Sequence, residues 1–87
     1  MTVIKSLVWD EWNRVHIQRH SVTIEEVEEV CRRKYKEIKS YRKRFLLIGK
    51  TKTDRILAVV ITPEDRNGIS YGEGIYYVVT AYEKEGQ

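Results

Sequence analysis

Residues 9–30, WDEWNRVHIQRHSVTIEEVEEV, decide the fold of this 87-residue chain, because two helix starts follow one another closely. Asp10 is a suitable N-cap for a first helix over roughly residues 11–20. Thr23 and Glu26 form the T-x-x-E pattern of a capping box, which predicts the start of a second helix. Two short helices joined by a tight turn are therefore expected near the N-terminus.

The first helix should have one apolar and aromatic side. At about 100° per residue, the following residues fall on that side: Trp9, Trp12, Asn13, His16, Ile17 and His20. Glu11, Arg14 and Gln18 fall opposite and should face water. This side therefore either docks the helix on a sheet or presents two histidines to a catalytic cleft.

The second helix has a buried stripe and an ordered charge pattern. The stripe consists of Ile24, Val27, Val30 and Cys31. Glutamates lie near the N-terminus of this helix and basic residues lie at its C-terminus, which suits the helix dipole. The acidic run is thus explained by helix formation.

Strand-like patterns surround the helices. Residues 34–41 alternate, and the apolar segments 44–50 and 55–62 are joined by the short connection TKTD. Further strands are predicted over 2–8 and 75–82, with a glycine-rich loop over 63–74. Residues 1–87 are therefore expected to form a single small α+β domain, in which an N-terminal strand and two helices pack on an antiparallel sheet.

Composition favours a folded protein outside the membrane. Apolar residues make up 41% of the chain and charged residues 33%, and no apolar run approaches the ~20 residues of a membrane span. The N-terminus lacks the features of a signal peptide. Cys31 is the only cysteine, which excludes an internal disulfide. We expect cytoplasmic localisation and no membrane partner.

Basic residues are concentrated in the middle of the chain. Residues 32–55 contain eleven basic against two acidic groups, whereas residues 10–31 carry a net charge of −4. Tyrosines alternate with the cations, an arrangement that can stack bases while it holds phosphates. The candidate RNA-binding residues in this block are Lys36, Lys39, Tyr41, Arg42 and Arg44. The alternatives are a solvated basic face for the cations and cross-strand packing for the tyrosines.

Metal and covalent catalysis have weaker sequence support. His16 and His20 have the i,i+4 spacing of a zinc-binding helix, but Ile17 stands where a metalloprotease has its glutamate. The sequence has no third histidine to complete such a site. Cys31 lies on an apolar stripe and is expected to be inert. We therefore predict no metal and no cofactor.

Cleavage of RNA without a metal needs only a base for the 2′-hydroxyl, cations for the phosphate and an acid for the leaving oxygen. Histidine, tyrosine, lysine and arginine can supply all of these functions. The sequence therefore permits a small ribonuclease but does not require one.

Several of these motifs resemble the BrnT toxin family. The N-terminal signature of that family is matched by Trp9 and Asp10, then Arg19 and His20, then the S-V-T stretch that leads into the acidic helix. RFLLIGKT resembles the family's strand that ends in glycine, a basic residue and threonine. RILAVVIT and YYVVTA are similar to the strands that follow, so the resemblance covers residues 8 to about 82.

The resemblance implies a RelE-like fold and a metal-independent endoribonuclease. It also implies neutralisation by a ribbon-helix-helix antitoxin, with a homodimer or a toxin–antitoxin hetero-oligomer as the assembly. In such an enzyme, phosphate would be bound by Lys50, Arg44 and Arg19. His20 or His16 would transfer the proton, and Tyr82 would serve as the acid.

The chain departs from the family pattern at two positions. Ser21 follows the histidine where the family usually has glycine, and Tyr82 stands where the family commonly has an arginine. The acidic tail EKEGQ replaces a basic helix. The alternative function is therefore a weakened or inactive binding module that engages an antitoxin-like protein or RNA through its basic face.

Overall fold

The computed structural model describes residues 3–39, 43–65 and 67–84. Its helices are α1 (Glu11–Gln18) and α2 (Ile24–Arg32), and its strands are β1 (Ser6–Val8), β2 (Tyr35–Lys39), β3 (Phe45–Lys50), β4 (Ile56–Thr62) and β5 (Ile75–Glu83). The predicted order of a strand, two helices and four strands is confirmed. β1 is shorter than expected, and α1 ends at Gln18, two residues before the predicted end.

The strands form one sheet in the order β1-β5-β4-β3-β2. Strands β2 to β5 pair antiparallel, as predicted. β1 joins the edge of β5 in parallel, so that the sheet as a whole is mixed. The α+β class is confirmed. The parallel edge is compatible with the chain order, because α1, α2 and β2 to β4 separate β1 from β5 and no tight turn joins the two strands.

Both helices begin with the caps that the sequence predicts. The side chains of Asp10 and Thr23 accept hydrogen bonds from the third helical N–H group of α1 and α2, and both capping boxes are complete. Asn13, in the first turn of α1, is fully buried and donates its side-chain amide to Val8 O at 2.9 Å and Val78 O at 3.1 Å. α1 is therefore tied by polar contacts to the end of β1 and to the middle of β5.

The hydrophobic core lies between the two helices and one face of the sheet, which we call the helix-covered face. Its buried residues come from the two helices, the turn between them and the strands β3 to β5: Ile17, Val22, Val27, Val30, Cys31, Leu47, Leu57, Val59, Ile61, Val78 and Ala81. Gly49 permits the close approach of α2, because a Cβ atom there would lie 2.8 Å from Val30 Cγ1. The sheet therefore buries only one of its faces under helices.

A β-bulge changes the alternation of β5. Tyr77 pairs with Thr62, whereas Thr80 pairs with Val60, so that one extra residue is accommodated in β5. A bulge of this kind shifts the side-chain phase of the strand. As a result, Tyr77 and Tyr82 lie on the same face of the sheet although they are five positions apart.

Candidate active site

The face of the sheet opposite the helices, which we call the open face, carries the candidate catalytic residues of the strands. One cross-strand row on this face runs through Lys36, Ile48, Ala58 and Tyr82. The next row contains Lys50, which pairs with Ile56. Tyr82 is 39% exposed, and Lys36 and Lys50 are exposed. The open face therefore presents cations and a phenol to solvent.

α1 contributes a line of rings beside β5, which we call the aromatic row. Trp12 stacks on His16 with ring centroids 5.0 Å apart, and His16 meets His20 edge-on at 5.4 Å. His20 lies 6.2 Å from the Tyr82 ring. Three of the four predicted catalytic residues are thus brought together at the C-terminal end of β5.

The turn after α1 presents His20 to this location. Ser21 has a φ of 59°, in the left-handed region that favours glycine. Glycine, the residue of the BrnT pattern at this position, would adopt this conformation more easily than serine. His20, in the turn, is exposed, and Arg19 is the exposed C-cap of α1 next to it. The exposed imidazole of His20 at the end of the aromatic row therefore has an exposed guanidinium, that of Arg19, on the preceding residue.

The GKT motif, residues 49–51, contains two residues with structural roles and one exposed cation. Gly49 makes room for α2, as described above. Thr51 is 1% exposed and closes the β3–β4 hairpin, since its hydroxyl lies 2.9 Å from that of Thr53 and its N–H donates to Arg55 O at 2.8 Å. Lys50 has no such packing role. Among the described ion pairs, none involves the Lys50 ammonium.

Lys50 and Tyr82 lie within reach of one substrate group. Their strands, β3 and β5, flank β4, and their partners Ile56 and Ala58 are two positions apart on that strand. The strand spacing and rise put the two Cα atoms about 12 Å apart. Both side chains are long and point to the same face, so a phosphate between them could contact both.

The other predicted RNA-binding residues are divided between the two faces. Lys36 lies on the open face, and Arg44 lines a cleft there with Thr62 and Tyr77. Lys39 pairs with Phe45, which packs against the core, and therefore lies on the helix-covered side at the sheet edge. Tyr41 and Arg42 lie outside the described residues.

Arg55 is a cation with a structural role that the sequence does not reveal. Its guanidinium donates to Glu26 Oε2, to Ser21 O at 3.2 Å and to Glu83 Oε1 at 3.3 Å. Burial raises the pKa of Glu26, but hydrogen bonds from Thr23 and the charge of Arg55 outweigh burial, so the pKa lies below its ordinary value. Arg55 therefore joins α2 and the turn before it to the sheet.

Cys31 is unsuited to nucleophilic catalysis. Burial, with a smaller contribution from Glu28, raises the pKa of its thiol to about 12. The thiol therefore stays protonated at neutral pH, as expected from its place on the apolar stripe.

No group of three or more His, Cys, Asp or Glu side chains in the described part of the chain could hold a metal ion.

Two aromatic residues near the aromatic row were not selected from the sequence. Tyr71 and Tyr77 stack with ring centroids 6.2 Å apart, and the Tyr77 hydroxyl donates to the carboxylate of Asp10 at 3.1 Å. The bulge in β5 brings Tyr77 to the open face, and no sequence pattern marked it.

Neither α1 nor α2 has the length or apolar character needed to cross a bilayer.

Comparisons with known proteins give one informative match. No family model and no curated protein matches this chain. Among solved structures, the crystal structure of the ribonuclease toxin BrnT from Brucella abortus is similar, with a TM-score of 0.69 and 20% sequence identity. The alignment covers 93% of this chain and 97% of that one. This chain therefore has a BrnT-like fold.

Proposed function

We propose that this protein is a toxin-type endoribonuclease that cleaves RNA without a metal ion. The observation that carries the proposal is the proximity of His20, His16 and Tyr82 on a surface that also presents Lys50. The BrnT-like fold supports it, because the similar protein is described as a ribonuclease toxin.

The residues suggest a transesterification at one phosphodiester. His20 accepts the proton of the 2′-hydroxyl, and the 2′-oxygen attacks phosphorus as the bond to the 5′-oxygen breaks. Tyr82 donates its proton to the departing 5′-oxygen. The products are a 2′,3′-cyclic phosphate and a 5′-hydroxyl end, so no co-reactant is needed.

The cations would stabilise the charge that develops on the phosphate. Lys50 projects from the end of β3 toward the same region as Tyr82, and Arg19 flanks His20. A single donor of this kind contributes ~10²–10³ in rate in related chemistry. His16 lies half-buried between Trp12 and His20, where it orients the His20 ring.

Cleavage of a long single-stranded RNA by the purified protein in EDTA tests the proposal. His20→Ala should lower the rate by ~10²–10⁴ if His20 transfers the proton. Gln18→Ala is the matched control, since Gln18 is exposed in the last turn of the same helix. Equal rates in the wild type and both variants, or cleavage only with added metal, would contradict the proposal.

A catalytically weakened binding module is the second candidate. The position of Tyr82 favours it, because a neutral phenol stands on the open face where the BrnT family commonly has an arginine. The missing cation would remove one contact to the scissile phosphate. This candidate predicts RNA binding without cleavage under the same conditions, and cleavage that depends on His20 would exclude it.

An antitoxin is the protein partner that we propose. Half-exposed apolar residues on the open face, such as Ile38 at 39% exposure and its neighbour Leu46, offer a surface that a partner could cover. A ribbon-helix-helix protein encoded beside this chain should co-purify with it and block RNA cleavage in the cytoplasm. Absence of a complex with such a protein would contradict this part of the proposal.

A further inference from the structure

A cleft of about 620 Å³ lies beside the aromatic row, between the start of α1 and the loop over residues 63–74. Three aromatic side chains line it, from α1, the loop and β5: Trp12, Tyr71 and Tyr77. Polar groups complete the lining, among them Arg44, Glu64 and Asp65. None of these residues has a part in the cleavage step proposed above.

The aromatic side chains that line the cleft have the chemistry to bind a flat ring. Tyr71 and Tyr77 are nearly parallel, with an angle of 12° between their planes. Trp12 is 51% exposed, although one contact of its indole is the stack on His16. A planar ligand in the cleft therefore meets several aromatic surfaces, which favours stacking.

Hydrogen bonds hold the described part of the loop that lines the cleft. Glu64 and Ser70 form a β-bridge, and the N–H of Tyr71 donates to Pro63 O at 3.0 Å. The Asp65 carboxylate accepts from two backbone N–H groups within the loop, at 2.8 and 2.9 Å. Tyr71 is therefore held in place, and binding in the cleft would not have to order this part of the loop first.

The charges at the cleft favour a neutral group over a phosphate. Three carboxylates, those of Asp10, Glu64 and Asp65, share the lining with the guanidinium of Arg44. Lys43 offsets Glu64 from outside, at 3.4 Å. Phosphates are therefore better accommodated near Lys50, whereas the cleft suits a base with both donors and acceptors on its edges.

We propose that this cleft binds one unpaired nucleobase of the RNA, next to the phosphate that is cut. This inference rests on the proposed ribonuclease function and assigns its substrate subsite. Trp12 belongs both to the cleft and to the aromatic row, and two ring contacts of 5.0 and 5.4 Å lead from it to His20. A base in the cleft would thereby position the adjoining backbone at His20.

Guanine is the base with which to test the cleft. Its O6 and N7 atoms accept a bidentate pair of hydrogen bonds from an arginine, and its exocyclic amine donates to a carboxylate. Arg44 and the carboxylates of the lining supply both kinds of partner. The probe is a short deoxyribose-phosphate chain with one guanine among stable abasic spacers, compared with the same chain without any base. Neither probe has a 2′-hydroxyl, so neither can be cleaved by the proposed reaction.

Fluorescence anisotropy would give the Kd of each probe for the wild type and for Tyr71→Ala, Tyr71→Phe and Ile69→Ala. Ile69 is the matched control, because it lies in the same loop, is 63% exposed and does not line the cleft. The wild type should bind the guanine probe about tenfold or more tightly than the abasic probe. Tyr71→Ala should abolish that difference, whereas Tyr71→Phe and Ile69→Ala should keep it.

The inference is overturned if removal of the base has the same effect in the wild type and in Tyr71→Ala, or if neither probe binds. A parallel cleavage assay on unmodified RNA separates this result from failure of the proposed function. Cleavage without a Tyr71-dependent contribution of the base would refute the subsite alone. A Tyr71-dependent contribution without cleavage would support the subsite and refute the ribonuclease.

Discussion

Neighbouring residues of β3 lie on opposite faces of the sheet and in contrasting surroundings. Leu47 is fully buried beneath the helices, whereas Ile48 is half-buried on the open face. The same contrast separates Gly49, which lies against α2, from Lys50, which is exposed. Residues of one strand thus alternate between the buried core, which stabilises the fold, and a solvent-facing surface that could contact a substrate.

Individual cations on the two faces also differ in their partners. On the helix-covered side, Arg55 is neutralised by Glu26 and Glu83. Lys36 and Lys50 on the open face enter none of the described ion pairs. A cation that is already paired stabilises the fold, while one that faces solvent remains available to a phosphate. The total charge of a segment therefore does not identify which of its cations bind RNA.

The largest expected effect comes from a pair of substitutions on β3. Leu47→Ala should lower the free energy of unfolding by about 3 kcal/mol, because it leaves a cavity in the core. Ile48→Ala should lower it by about 1 kcal/mol, since its side chain is only half-buried. Urea unfolding of both variants measures the difference. Equal losses would mean that the open face is also covered in the free protein.

A smaller effect is expected from the ion pair between Glu26 and Arg55. Glu26→Gln keeps the capping box but removes the charge, and should cost about 1 kcal/mol at pH 7. The pKa of Glu26 is lower in the folded chain than its ordinary value of 4.5, so its contribution is complete above that pH and is lost as the pH falls through the folded value. The stability difference between wild type and variant should therefore shrink below about pH 4.5. A difference independent of pH would show that the charge of Glu26 contributes nothing.

The smallest expected effect distinguishes the two faces of β2. Lys36→Ala should reduce the slope of log Kd against log salt for single-stranded RNA by about 0.7, as expected for one lost phosphate contact. Lys39→Ala, on the helix-covered side, should leave the slope unchanged. Titrations at several salt concentrations make the comparison. The same loss of slope in both variants would show that RNA contacts the edge of the sheet rather than its open face.

Local patterns predicted the elements of this fold well, because caps and periodicity act over a few residues. Thr23 and Glu26 located the start of α2, and the alternation of β2 placed Lys36 and Ile38 on one face. The parallel pairing of β1 could not be predicted, since its partner β5 lies at the other end of the chain. The position of Tyr77 depends on a bulge in β5, which the sequence of that strand does not indicate.

The candidate site was predicted in part for the same reason. The i,i+4 spacing placed His16 and His20 on one side of α1, and the structure adds Tyr82 to them through a contact between distant segments. Arg55 belongs to the same basic block as the other cations in the sequence, and its two carboxylate partners, Glu26 and Glu83, are distant from it along the chain. Pairing across the chain, rather than residue type, therefore separates the structural cations from the candidate functional ones.

The most direct test compares Lys50 and Lys52, which lie on either side of Thr51. RNA cleavage rates in EDTA and free energies of unfolding would be measured for Lys50→Ala and for Lys52→Ala, whose side chain is exposed in the β3–β4 turn. We predict that Lys50→Ala lowers the cleavage rate about 100-fold with unchanged stability, and that Lys52→Ala changes neither. Wild-type cleavage by Lys50→Ala, or equal losses in both variants, would contradict the assignment of catalysis to the open face.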